Sequence, residues 1–157
     1  DRAVLALLRR FGASVQARPD GIFVRKAPLR GVRIDAGAIP DLIPAIAAVA
    51  AYAEGTTEIF NAARLRLKES DRLHTVAQTI RSLGGTVQEL EDSLIITGTP
   101  QISGGNADSF GDHRIAMLAA ILAAGCQTSV TVCGAECTSK SYPNFWQTLE
   151  SLKGASR

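Results

Sequence analysis

The sequence predicts an α+β (α/β) domain built from duplicated units. Three observations predict it: a segment pattern that recurs after about 72 residues, a switch within each copy between helical and strand-like apolar spacing, and a composition rich enough in aliphatic residues for one sizeable core. Residues 8–24 read LRRFGASVQARPDGIFV and residues 80–96 read IRSLGGTVQELEDSLII. Gly12 aligns with Gly84, Val15 with Val87, Gln16 with Gln88 and Asp20 with Asp92. The register slips by one further on, where residues 39–59 (IPDLIPAIAAVAAYAEGTTEI) parallel residues 110–130 (FGDHRIAMLAAILAAGCQTSV) and Asp41 meets Asp112.

The elements follow in order. The chain opens inside a helix that a glycine at 12 ends, and a strand, a polar turn and a returning strand form a hairpin. Asp41 is placed to cap an Ala-rich helix over residues 43–53, and a β-branched strand follows near 56–60. A loop carries Lys68 into a helix that runs to about Leu83, with Leu73, Val76, Ile80 and Leu83 on one face. The second copy repeats the hairpin after Gly84, caps a helix over 115–125 with Asp112, and adds a strand near 129–133. Lys140 is the repeat mate of Lys68, and Ser141 and Pro143 mark the start of a last helix to about residue 153. Each unit thus reads helix, strand, strand, helix, strand. No Pro- or Gly-rich stretch divides the chain, so one domain is expected over 1–157.

Composition excludes several classes. Apolar residues make up 46% and charged residues 20%, as in an ordinary globular domain rather than a disordered one. The net charge of +2 and 5% aromatic content give little for nucleic acid to bind or stack on. No apolar run has the length of a membrane span, and no signal-peptide pattern opens the chain. The chain begins with Asp1 and has no initiator Met, which suggests a fragment. Three cysteines (Cys126, Cys133, Cys137) without paired spacing argue for a reducing compartment, and no metal-ligand spacing includes His74 or His113.

The informative charges cluster at predicted helix starts, where free backbone N–H groups favour anions. LKESDRL (67–73) places Lys68 and Arg72 there with Glu69 and Asp71, GDHR (111–114) places Asp112, His113 and Arg114, and TSKSYP (138–143) places Lys140. Cations at this end oppose the helix dipole, a penalty that an anionic ligand reverses. Each group also has a plainer reading: a solvated cap for Lys68 and Arg72, a surface pair for Asp112 and Arg114, a structural hydrogen-bonding group for His113, an N-cap for Asp41.

LKESDRL, GDHRIAM (111–117) and CTSKSYPNFW (137–146), in this order and with residues 39–57, resemble the C-terminal half of 5-enolpyruvylshikimate-3-phosphate synthases over essentially the whole chain. The resemblance implies an enolpyruvyl transferase-like fold of βαβαββ units, helices inside and sheets outside, with the active site in a cleft against an N-terminal domain that this chain does not contain. It implies no metal and no organic cofactor, a cytoplasmic enzyme of aromatic amino-acid biosynthesis, and two small anionic substrates. By motif, Arg72, Arg114 and Lys140 would hold phosphoenolpyruvate, Lys68 would contact shikimate 3-phosphate, Asp41 would accept the proton of the reacting hydroxyl, and Glu69 would handle the proton at the methylene carbon. Without the N-terminal domain the chain is expected to be inactive. Competing readings are the related transferase acting on UDP-N-acetylglucosamine, a non-catalytic module on the same scaffold, and an RNA-processing cyclase-like domain.

Overall fold

The computed structural model describes residues 2–154; residues 1 and 155–157 of the single domain expected over 1–157 lie outside the described residues. In chain order the elements are α1 (Ala3–Arg10), β1 (Ser14–Arg18), β2 (Gly21–Arg25), β3 (Arg33–Asp35), α2 (Ile43–Tyr52), β4 (Thr56–Phe60), α3 (Arg72–Ser82), β5 (Thr86–Glu89), β6 (Leu94–Thr97), β7 (Gly105–Asp108), α4 (His113–Ala123), β8 (Val130–Cys133) and α5 (Phe145–Gly154). Short 3-10 turns at Pro40–Leu42, Ala63–Leu67 and Ala135–Lys140 precede α2, α3 and α5.

The repeat is visible in three dimensions. Residues 33–97 form a βαβαββ unit whose four strands lie in the order β3-β4-β6-β5, with β3 parallel to β4 and the other neighbours antiparallel. Before it, α1, β1 and β2 repeat the end of such a unit; after it, β7, α4, β8 and α5 repeat the beginning, with β7 parallel to β8. Gly12 and Gly84 close the matching helices α1 and α3 with φ of +99° and +92°, a left-handed backbone that a side chain would strain.

The unit contains one strand more than spacing alone shows. β3 and β7 have three and four residues, are mostly polar, and bury only Ile34 and Ala107, so no alternation marks them. Helices α2 and α4 are apolar almost all round, as helices inside a domain must be, and pack on each other through alanine-rich faces. Helix α3 packs against both. Ile46, Leu73, Val76, Ile80, Ile96 and Leu118, all fully buried, belong to one continuous core between these helices and the sheets.

Two helix starts differ from expectation. Asp41 does not cap α2: it sits in the 3-10 turn Pro40–Leu42, Leu42 occupies the cap position, and no side chain bonds there. The Ser141–Pro143 start is replaced by one at Phe145, because the preceding turn continues through Tyr142, whose N–H donates to the Thr138 carbonyl. Asp112 does cap α4, accepting from the Arg114 N–H, and Asp71 caps α3, accepting from the His74 N–H.

Candidate functional site

The N-terminal ends of the inner helices meet at one place, because parallel β-α units aim successive helices in the same direction. Arg72, the first residue of α3, lies between the turn before α2 and the cap of α4. Its Nε and Nη2 donate to Asp112 Oδ2 and Oδ1 at 2.7 and 3.1 Å, and its Nη1 donates to Asp41 Oδ1 at 2.8 Å. The repeat-related aspartates therefore grip one guanidinium from two sides.

The six residues expected from sequence form one connected network. Lys68 Nζ lies 3.2 Å from Asp41 Oδ1. Arg114 Nη1 donates to the Asp41 carbonyl at 2.9 Å. Glu69 lies 4.0 Å from Arg72, accepts from Lys140 through Oε1, and sits 2.8 Å from His113 Nδ1 through Oε2. Lys68 is outside α3, in extended backbone after the 3-10 turn, so it reaches the site from the loop rather than from the first helical turn beside Arg72.

Burial separates an inner part from an outer part. Asp112 is fully buried and the Arg72 side chain is 3% exposed, while the Glu69, Asp41 and Lys140 side chains are 28%, 48% and 65% exposed. Asp112 accepts four hydrogen bonds: two from Arg72, one from the Ser70 hydroxyl at 3.0 Å and one from the Arg114 N–H. Burial raises its proton affinity, but Arg72, the Arg114 N–H and Ser70 outweigh that and hold the carboxyl below its ordinary range. At Asp41, burial again acts upward and is outweighed by Lys68, Arg114 and Arg72. At Glu69 the Lys140 hydrogen bond is the largest influence and lowers the carboxyl, with His113 adding to it against burial and the charge of Asp112.

Four cations thus face three carboxylates at the positive ends of three helices, an arrangement that suits a small oxyanion. Glu69, Asp112 and His113 also bring potential ligand atoms within 4.8 Å of one another. Their donor atoms are engaged with Lys140, His113, Arg72 and Ser70, so the set is organised for hydrogen bonding rather than for a cation. Sequence reasoning reads Asp112 as a cap or as a surface partner of Arg114 and does not weigh Ser70; the carboxylate is buried, pairs with Arg72, and of Arg114 meets only the backbone N–H. The pairing of Asp112 with Asp41 in the repeat was the signal that it does more.

Comparisons with known proteins agree with this architecture. Residues 1–149 match the family model for EPSP synthase (3-phosphoshikimate 1-carboxyvinyltransferase). A 3-phosphoshikimate 1-carboxyvinyltransferase of Clostridium acetobutylicum is 47% identical over 154 residues, which cover 98% of this chain and 36% of the relative. A protein of that name from Methanocorpusculum labreanum is 40% identical over 152 residues, 97% of this chain and 36% of the relative. Among solved structures, an EPSP synthase from Acinetobacter baumannii superposes with a TM-score of 0.85 at 30% identity, over 94% of this chain and 38% of that one. The enolpyruvyl transferase NikO from Streptomyces tendae superposes with 0.78 at 26%, over 96% and 36%. The chain spans about a third of the length of the curated relatives it matches.

Proposed function

We propose, from the premise that the chain belongs to the EPSP synthase family, that it supplies one wall of an active site that transfers an enolpyruvyl group from phosphoenolpyruvate to the 5-hydroxyl of shikimate 3-phosphate. In this reading it is the C-terminal domain part of a two-domain, cytoplasmic enzyme of aromatic amino-acid biosynthesis, and the other wall comes from the family's N-terminal domain.

The observation that carries the reading is the meeting of Asp41, Lys68, Glu69, Arg72, Arg114 and Lys140 in one network at three helix starts. Arg72, Arg114 and Lys140 would hold the phosphate and carboxylate of phosphoenolpyruvate, and Lys68 would hold shikimate 3-phosphate near the reacting hydroxyl. Asp41, kept ionised by its cationic neighbours, accepts the hydroxyl proton as the oxygen bonds to the substituted enol carbon. Glu69 gives a proton to the methylene carbon. Breaking the carbon–oxygen bond to phosphate then releases phosphate, and a methyl proton returns to Glu69. General acid and base groups of this kind contribute about 10²–10⁴-fold each, and the fixed cations hold the reacting atoms at attack distance.

The UDP-N-acetylglucosamine reading is less favoured because the sequence relatives carry the shikimate name. The test joins this chain to the N-terminal two thirds of the Clostridium acetobutylicum relative and measures phosphate release with each acceptor. Release dependent on shikimate 3-phosphate, reduced about 10²-fold or more by Asp41→Asn, is expected. Release only with UDP-N-acetylglucosamine, or phosphoenolpyruvate that shifts no NMR resonance of Arg72, Arg114 or Lys140, would overturn it.

A further inference from the structure

The cations of this site are occupied by the site's own carboxylates. Lys68 and Arg72 hold Asp41, Arg72 also holds Asp112, and Lys140 and His113 hold Glu69. These pairs differ in how readily an entering anion could open them. Arg72–Asp112 is sealed from water and satisfied by four donors. Lys140–Glu69 is at the surface, on the last residue of a 3-10 turn, with the lysine side chain 65% exposed. A solvated pair of this kind is worth little, so a divalent oxyanion competes with it easily.

Resting on the anion-pocket reading above, we propose that Glu69 is a stand-in anion on Lys140: an oxyanion ligand takes Lys140 from it, and the released carboxyl takes up part of a proton from solvent at mildly acidic pH. The groups that face Glu69 from each element packed around it are Lys140 from the 3-10 turn, Arg72 from its own helix start, and His113 and Asp112 from α4. Lys140 is the strongest of those that favour the ionised form. Once it turns to the ligand, Glu69 keeps His113 and Arg72, which favour the ionised form, but loses the largest such influence and stands beside two negative charges, the buried Asp112 and the ligand itself, which favour the protonated form. Asp41 is more exposed and keeps Lys68 and Arg72 on the opposite side of the guanidinium, so release there leaves a hydrated carboxylate. Binding would thus load a proton on the group that must deliver one to a carbon atom, and leave the proton acceptor empty.

The sign follows from the direction of the change. Glu69 is below its ordinary range in the free protein and rises on binding. Uptake therefore occurs between the two values and vanishes above the higher one.

The test titrates sulfate, which does not itself ionise in the working range, into the chain by calorimetry in buffers of different ionisation heat. Uptake of a fraction of a proton is expected at about pH 5, falling towards zero at about pH 7.5. Glu69→Gln should bind sulfate about two- to five-fold more tightly, because the competitor is gone, and without uptake. Lys140→Gln should bind more weakly, and His113→Gln should retain the uptake at pH 5. Binding with no uptake at pH 5, or uptake that persists in Glu69→Gln, overturns the inference while leaving the anion site standing. Sulfate bound by neither wild type nor Glu69→Gln would sink the anion-site reading and the inference together.

Discussion

Asp112→Asn is the substitution that tests the site's inner frame. Asparagine is as good an N-cap as aspartate, so the cap on α4 survives and only the charge and two acceptor positions are lost. The amide offers one acceptor oxygen where the carboxylate accepted four hydrogen bonds. Its NH2, in the place of Oδ2, would face the Arg72 Nε, a donor, and the Ser70 hydroxyl, which would have to turn round to accept from it. Arg72 would keep Asp41 on Nη1 and Glu69 at 4.0 Å, but the donors on its inner edge, Nε and Nη2, would lose their charged acceptor in a buried place. Breaking a buried pair from one side costs about 3–5 kcal/mol, a large share of the roughly 5–15 kcal/mol available to a domain. For a domain of this size that lowers the melting temperature by roughly 10 °C. Urea denaturation of wild type, Asp112→Asn, Arg72→Met and the double variant closes a cycle, and the double variant should be more stable than the summed single losses imply by at least about 1.5 kcal/mol. A single-variant loss below about 0.5 kcal/mol, or additivity, would refute the claim that this pair frames the site.

Other expectations follow from the same geometry. Asp41, Glu69 and Asp112 are all held below their ordinary range, so their contribution is complete above the unfolded values near pH 4 and is lost as pH falls through the lower folded values; acid unfolding followed by circular dichroism should show this, with a shallower pH dependence in Asp112→Asn. Ile96→Ala, at a fully buried strand position, should cost about 2–5 kcal/mol, whereas Val24→Ala, at the repeat-related position that is 60% exposed, should stay within about 0.5 kcal/mol; urea midpoints decide both. Gly84→Ala should cost about 1–2 kcal/mol from its left-handed backbone, and more because the new methyl meets the Ser103 hydroxyl at 2.9 Å; Ser103→Ala in that background should recover part of the loss.

Much of this architecture can be read from residues. The glycines at 12 and 84 and the buried spacing of Leu73, Val76 and Ile80 mark elements because turn chemistry and helical periodicity are local properties. β3 and β7 escape because a parallel strand of three or four residues is specified by its neighbours, here β4 and β8, and carries hardly any pattern of its own. Asp41 looks like a cap because Asp before an apolar run usually is one; Pro40 instead starts a 3-10 turn that turns the side chain towards Lys68 and Arg72. His113 looks structural, since one histidine in a helical first turn has no readable partner. Glu69, its partner in space, lies 44 residues away. Contacts across that distance belong to the fold, and only the repeat, which ties Asp41 to Asp112 and Lys68 to Lys140, gives the sequence any view of them.

The middle unit also serves as an internal standard for the other two. There β6 closes the side of β4, and Leu94 and Ile96 are sealed against the helices. The matching positions on β2, Ile22 and Val24, stay 57% and 60% in water, and β8 keeps its corresponding side unpaired among the described residues, next to an apolar hollow of about 630 Å³ flanked by Trp146, Leu149 and Leu152. Unpaired backbone beside bare aliphatic surface is a template for further strands. Purified by itself, this polypeptide should therefore be governed by concentration: well behaved when dilute, and prone to stick edge to edge as it is concentrated.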